Sequence, residues 1–497
     1  MNIYEVIRKL INKAVDARLI EKEDEVYVSN RIIALLGIEE MKAAETAGEV
    51  NNEDIPELLE KIVKYGCEKG IIEDIFDERE ILSSSIMDCF IDKPSVINKH
   101  FYERYKENPE RATEYFYDLS KNSNYIQSKR IGKNINYKAS TEYGELDITI
   151  NLSKPEKNPK DIIKEGKLKS TNYPKCLLCI ENEGYAGRIG HPARANHRMI
   201  RIDLLKEQWY LQYSPYSYYN EHCIVLSKEH RDMKIDRQSF SSLLAFVELF
   251  PHYFLGSNAD LPIVGGSILS HDHYQGGRYE FAMAKAEEEC KFKIDRFPEV
   301  QCAVIKWPMS VIRLKSANIA SLVDTAEHIL NSWRRYNDES VDIYAYTKEV
   351  PHNTITPIAR KKNNFFELDL VLRNNRTSKD HPLGIFHPRE DVHHIKKENI
   401  GLIEVMGLAV LPARLKTELK DVGEYLLGHK DNIAEYHKNW AEELKERYRE
   451  KLNSDNLEEI IRKETAAKFK RVLEDAAVFK RDERGRKAFK RFIESLN

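Results

Sequence analysis

Two glycine pairs, Gly265-Gly266 and Gly276-Gly277, bracket the stretch that most restricts how this chain can fold. The apolar run Leu261-Pro-Ile-Val-Gly-Gly-Ser-Ile-Leu-Ser270 predicts a buried strand entering a glycine-flanked turn, followed by His271-Asp-His-Tyr-Gln275. In an extended segment alternate side chains share a face, so His271, His273 and Gln275 are expected on one side. An imidazole can act near neutral pH as nucleophile, general base or metal ligand. A carboxamide can donate to a phosphate oxygen but cannot titrate. A lone His-x-His fits two surface histidines near a turn equally well. The glycine pairs, which let backbone approach a ligand closely, favour a site.

A chain of 497 residues can hold two to four average domains or one elaborated enzyme. Its 78 Lys+Arg nearly cancel its 81 Asp+Glu, and a net charge of -3 gives no electrostatic case for nucleic acid as main partner. No apolar run approaches the roughly 20 residues needed to span a bilayer. The start, Met1-Asn-Ile-Tyr-Glu-Val-Ile-Arg-Lys-Leu10, reads as an amphipathic helix without a signal peptide's apolar core. Seven cysteines, an odd number spread over a long chain, argue against a disulfide framework. The expectation is a soluble, cytoplasmic protein.

Residues 1 to about 135 are expected to be helical, with Ile3, Val6, Ile7, Leu10, Ile11 and Val15 at helical spacing, and to support a larger fold. Strand character begins near Tyr143, where Leu146–Leu152 alternates with period two. Further strands are expected at Trp209–Tyr213, Glu221–Ser227, Leu261–Val264, Arg278–Ala282, Val300–Lys306, Met309–Leu314, Asp342–Tyr346 and Phe366–Leu372. A helix is expected over Phe240–Phe254, and a charged helical tail from Ala413.

Cys176-Leu-Leu-Cys179 is compatible with half a zinc site, a redox pair or two buried thiols. The glycine-containing stretch after it carries Arg188, Arg194, His197 and Arg198, candidates for phosphate or ribose contacts that fit a solvated basic loop equally well. Asn151, Ser153 and Lys154 close a strand as candidate ligand contacts, and Gly265, Gly266 and Ser267 are candidates for close approach to a ligand. Farther on, Arg373, Asn374, Asn375, Arg376, His381 and His387 mix basic groups and amides as a sugar phosphate would require.

The eighteen positions Asp260–Gly277 resemble the signature of the class II galactose-1-phosphate uridylyltransferases, the UDP-glucose–hexose-1-phosphate uridylyltransferases of the histidine-triad superfamily. Gly144–Lys157, Cys176–Tyr185 and His381–Glu390 are similar to the same family. The resemblance implies an α+β fold of two tandem histidine-triad modules with antiparallel sheets and helical additions at both ends. The boundaries are expected at 1–139, 140–295, 296–412 and 413–497. It implies His273 as the nucleophile that takes a uridylyl group from UDP-glucose, ping-pong transfer to galactose 1-phosphate in the Leloir route, and Gln275 as donor to a nonbridging phosphate oxygen. Hydrolytic relatives commonly carry histidine at the position of Gln275. UDP-glucose, UDP-galactose and hexose 1-phosphates are the implied partners, with no organic cofactor, and a homodimer is compatible with the chain. In class I relatives a structural zinc sits on a similar CxxC and two histidines. The matching set is Cys176, Cys179, His230 and His271, and the alternative is a metal-free fold in which His271 orients the loop. Class I enzymes place proline between their two histidines. Asp272 stands there in this chain, pointing away from both on a strand as a turn or supporting residue, so roles carried over from class I apply less directly. The rivals are another histidine-triad nucleotidyl transfer or phosphorolysis, and a non-catalytic zinc scaffold, which has no need of Gln275.

Overall fold

The computed structural model describes residues 2–42, 53–154, 171–266, 268–449 and 451–497. The chain divides into two units, one made of Met1–Gly132, Ser153–Ser217 and Glu221–His230, the other of Lys133–Leu152, Tyr218–Asn220 and Arg231–Asn497.

The first unit opens with the expected helices. In Ile3–Asp16 the Asn2 side chain accepts from the Tyr4 N–H, and Ile3, Val6, Ile7, Leu10, Ile11 and Ala14 form the buried stripe. In Ile55–Glu68 a capping box between Asp54 and Glu57, with Pro56 in the first turn, sets the start. These stripes pack with Val28, Ile32, Leu82, Ile86 and Phe90 into one apolar core. Three strands follow as an antiparallel meander, Ile200–Leu204, Glu207–Tyr213 and Cys223–Ser227.

In the second unit His273–Gly277 pairs with Phe254–Gly256, which pairs with Asn353–Lys362. The ladder continues antiparallel through Phe365–Asn374, Val311–Ser316, Gln301–Ile305 and Glu288–Phe292. Helices Arg237–Leu249 and Ile319–Trp333 pack on each other and on these strands. The order strand, strand, strand, helix, strand, strand thus occurs over 200–277 and again over 288–374, where the two-residue hairpin Tyr346–Thr347/Val350–Pro351 is added after the helix. This is the expected tandem α+β architecture. A smaller sheet joins the hairpin Ile135–Thr141/Gly144–Ile150 to Leu408–Leu411, the latter pair parallel. Four helices close the chain, Leu415–Leu426, Glu435–Tyr448, Leu457–Ala476 and Glu483–Glu494, as the charged tail predicts.

Several expected elements are corrected. Leu261–Val264 forms a turn, because Ile263 takes φ +73° and the following Gly265 bridges to Ala259. Arg278–Ala282 is not a strand, since Gly277 at φ +154° turns the chain out of the ladder and Tyr279 and Phe281 pack instead on Tyr219. The helix expected to reach Phe254 stops at Leu249, just ahead of Pro251, which has no N–H for a continuing helix. Asp342–Tyr346 is irregular apart from a bridge at Ile343 and strand at Tyr346, with Asp342 left-handed at φ +61°. Strand structure also begins at Ile135, ahead of Tyr143.

One polar feature lies deep in the second unit. Arg313 donates to Asp369 through Nε at 2.7 Å and Nη2 at 2.9 Å, while Arg360 reaches Asp369 at 2.8 Å and Glu367 at 2.7 Å. Among the described residues no helix is long and apolar enough to cross a membrane.

Candidate functional site

The strand carrying the second histidine is short because its neighbours hold only part of it. Gly256 faces Gln275 and Phe254 faces Gly277, so this ladder covers Gln275–Gly277 of a strand that begins at His273. His273 and Gln275 therefore share a face by alternation, whereas His271 precedes the strand and is buried. The His273 imidazole is buried, and its Nδ1 lies 2.8 Å from the His271 carbonyl oxygen. A carbonyl only accepts, so Nδ1 carries the proton and Nε2 keeps the lone pair. Burial pushes the His273 pKa down to about 4 against the opposing pull of that hydrogen bond, so the ring is neutral at physiological pH. A neutral imidazole with its tautomer fixed by backbone keeps the free lone pair that nucleophilic attack would require.

Gly265 and Gly266 are required by the fold itself. A Cβ on Gly265 would lie 2.4 Å from the Ala259 carbonyl oxygen, and one on Gly266 would lie 2.8 Å from Asn258 Nδ2. Ser267 and residues 155–157 of the Gly144–Lys157 motif lie outside the described residues. Asn258, which no sequence motif singled out, is buried beside Gly266 and accepts from the Leu402 N–H at 2.9 Å.

In the first unit the CxxC and His230 converge as the family resemblance implies. Cys176 Sγ is 3.5 Å from Cys179 Sγ, which is 3.1 Å from His230 Nδ1. No disulfide joins the two cysteines. The edges of a tetrahedron around a zinc ion with these donors are about 3.5 Å, and both separations are near that length. These residues form part of a Cys/His group able to hold a metal.

The other expected contacts divide by what their polar atoms already hold. Arg198 directs its donors at Asp88, the Asp92 carbonyl, and the Ala195 and His197 carbonyls, all within 2.9 Å, as a buried structural guanidinium. His197 is stacked on Tyr125 with ring centroids 4.4 Å apart, and its Nε2 meets Gln212 at 2.8 Å. Its buried Nδ1 lacks a hydrogen-bond partner, and burial holds the ring neutral. Arg188 donates to the Thr171 and Tyr173 carbonyls at 3.2 Å. Arg194 meets the Tyr125 hydroxyl at 3.3 Å and lines a cleft of about 270 Å³ with Phe76, Tyr125, Lys154, Asn196 and Tyr216. The amino-terminal helices thus wall a cleft, beyond the supporting role expected of them. In the second unit Asn374 is consumed by Asn353, the Tyr344 carbonyl and the Arg376 N–H. Arg373 is buried against Thr356 and the Ile400 carbonyl, with Nε unpartnered. Burial lowers its pKa to about 10 against the pull of Glu404.

The site thus combines a neutral buried imidazole aimed by backbone, an amide on the same strand face and a Cys/His group. Residues 18–232 match the model of the galactose-1-phosphate uridyl transferase N-terminal domain, and residues 246–442 that of its C-terminal domain. The chain belongs to the galactose-1-phosphate uridylyltransferase family. It is 55% identical over 498 residues to the galactose-1-phosphate uridylyltransferase of Clostridium perfringens (strain 13 / Type A), covering 100% of this chain and 99% of the relative. It is 50% identical to galactose-1-phosphate uridylyltransferase 1 of Streptococcus pneumoniae serotype 4 (strain ATCC BAA-334 / TIGR4), with 99% of each covered. Among solved structures, yeast Ap4A phosphorylase Apa2 aligns at TM-score 0.34 and 11% identity, over 60% of this chain and 90% of that one.

Proposed function

We propose that this protein moves a uridylyl group from UDP-glucose to galactose 1-phosphate, giving UDP-galactose and glucose 1-phosphate in galactose metabolism. Full-length relatives bearing that activity in their names support the reaction. The observation that carries the mechanism is the His273 Nδ1 contact to the His271 carbonyl.

In the first half-reaction Nε2 of His273 bonds to the α-phosphorus as the bond to the β-phosphate oxygen breaks, releasing glucose 1-phosphate. The ring gains positive charge without gaining a proton, and the Nδ1–H bond to the His271 carbonyl strengthens as it does. Gln275 donates its amide to a nonbridging oxygen. A phosphate oxygen of galactose 1-phosphate then attacks the same phosphorus, forming UDP-galactose and returning His273 to its starting tautomer. Two balanced displacements replace one, and ping-pong kinetics follow. Arg188, Arg194 and the unpartnered His197 Nδ1 are the proposed nucleotide contacts. The cleft around Arg194, with its aromatic walls, suits a nucleoside. Arg373 offers its Nε to a sugar phosphate.

Cys176, Cys179, His230 and His271 would hold a structural zinc, two thiolates and two imidazoles leaving no position open for substrate. The module boundaries 140–295 and 296–412, with helical regions 1–139 and 413–497, are part of the same proposal. Substitution His273→Gly tests it. Turnover should fall below detection while the circular dichroism spectrum stays that of the wild type, and undiminished turnover would end the mechanism.

A further inference from the structure

Asp272, standing between the two histidines, makes contacts that bear on the nucleophile. Its backbone N–H donates to the Arg231 carbonyl at 2.7 Å. Its carboxylate accepts from Arg231 Nε at 3.3 Å, with the Asp272 side chain only 12% exposed. Arg231 is therefore held at both its main chain and its guanidinium by one residue.

The consequence comes from peptide geometry. The His271 carbonyl and the Asp272 N–H belong to one planar peptide unit and point in opposite directions. Fixing the N–H on Arg231 fixes the direction of the His271 carbonyl. That carbonyl accepts the Nδ1 proton of His273, so the same plane sets the imidazole's tautomer and the aim of Nε2. The ion pair in turn keeps the Arg231 carbonyl where Asp272 needs it. We infer that Arg231 and Asp272 form a positioning pair for the nucleophile, holding the His271–Asp272 peptide plane and, through it, the attacking nitrogen of His273. A proline at this position would lack the N–H on which the arrangement depends. The inference rests on His273 being the nucleophile.

The test is single-turnover formation of the uridylyl-enzyme from UDP-glucose in the full-length chain. Asp272→Ala and Arg231→Met should each slow the step roughly 10- to 100-fold, as expected when a supporting contact that orients a reacting group is lost. KM for UDP-glucose should stay within about twofold, because neither side chain binds substrate. Asp272→Asn keeps shape and loses charge, so it should fall in between and serve where the alanine variant folds poorly. The exchange Arg231→Asp with Asp272→Arg should recover at least about tenfold over the worse single variant. A merely structural pair would lower the active fraction, read by active-site titration, and leave the rate per active molecule unchanged. Rates within twofold of wild type in all single variants would overturn the inference while leaving His273 as nucleophile. An adduct formed by His273→Gly under the same conditions would instead overturn the reading on which it rests.

Discussion

Replacing Asp369 with asparagine keeps the shape of the side chain and removes its charge from the centre of the second unit. The carboxylate is fully buried and accepts three hydrogen bonds, two from Arg313 and one from Arg360. Burial alone would raise its pKa, but the two guanidiniums outweigh burial and hold it at about 2. Against an unfolded value of about 3.9, that depression corresponds to about 2.6 kcal/mol at neutral pH. Breaking a buried pair from one side costs about 3–5 kcal/mol, since the partners lose their counter-charge and only Glu367 remains for Arg360. The expected loss for Asp369→Asn is thus about 3 kcal/mol at pH 7. Because the folded pKa is depressed, this stability is present above about pH 4 and lost as pH falls through 4 toward 2. At pH 3 the difference between wild type and variant should have narrowed to about half. Urea unfolding at both pH values measures it, with tryptophan fluorescence reporting on Trp307 and Trp333 of the same unit. A difference under about 1 kcal/mol at pH 7, or one undiminished at pH 3, would refute the reasoning.

Gln275→His should raise release of UMP from UDP-glucose, measured without galactose 1-phosphate, relative to sugar transfer. Histidine can relay a proton to or from water where the amide cannot, and an unchanged ratio would remove Gln275 from the choice between sugar and water. Cys176→Ser should lower the thermal midpoint more than the activity per folded molecule, because the proposed zinc is structural. Elemental analysis of protein purified without added metal decides this, and less than about 0.1 zinc per chain with full activity would retire the site.

The sequence revealed most where side-chain pattern and backbone state are tightly linked. Leu146, Ile148 and Ile150 alternate because one face of their strand is buried, and the strand is found there. Leu261–Val264 shows the limit, since a buried turn selects the same apolar residues as a buried strand and only the φ of Ile263 separates them. Asn353–Lys362 escapes notice because Pro357 interrupts its pattern. The proline is tolerated where it sits, just before the pairing with Phe254–Gly256 begins at Ile358, and its carbonyl still accepts from the Ser257 N–H at 3.0 Å. The same split runs through the site. The family resemblance brought Cys176, Cys179 and His230 together, and the strand pattern placed Gln275 on the face of His273. Neither could reveal that Arg198 spends its donors on Asp88 and three carbonyls, or that Asn374 is consumed by its neighbours. Spacing records which groups are present, whereas competition for their hydrogen bonds is decided by residues far away in the chain.

The central claim is that the α-phosphorus is passed through a bond to Nε2 of His273. Brief mixing with UDP-glucose alone, followed by digestion at alkaline pH and mass spectrometry, tests it most directly. The account predicts a single acid-labile uridylyl group on the peptide containing His273, discharged on addition of galactose 1-phosphate. An intact protein that turns over UDP-glucose without ever carrying that group, or that carries it on another residue, would contradict it.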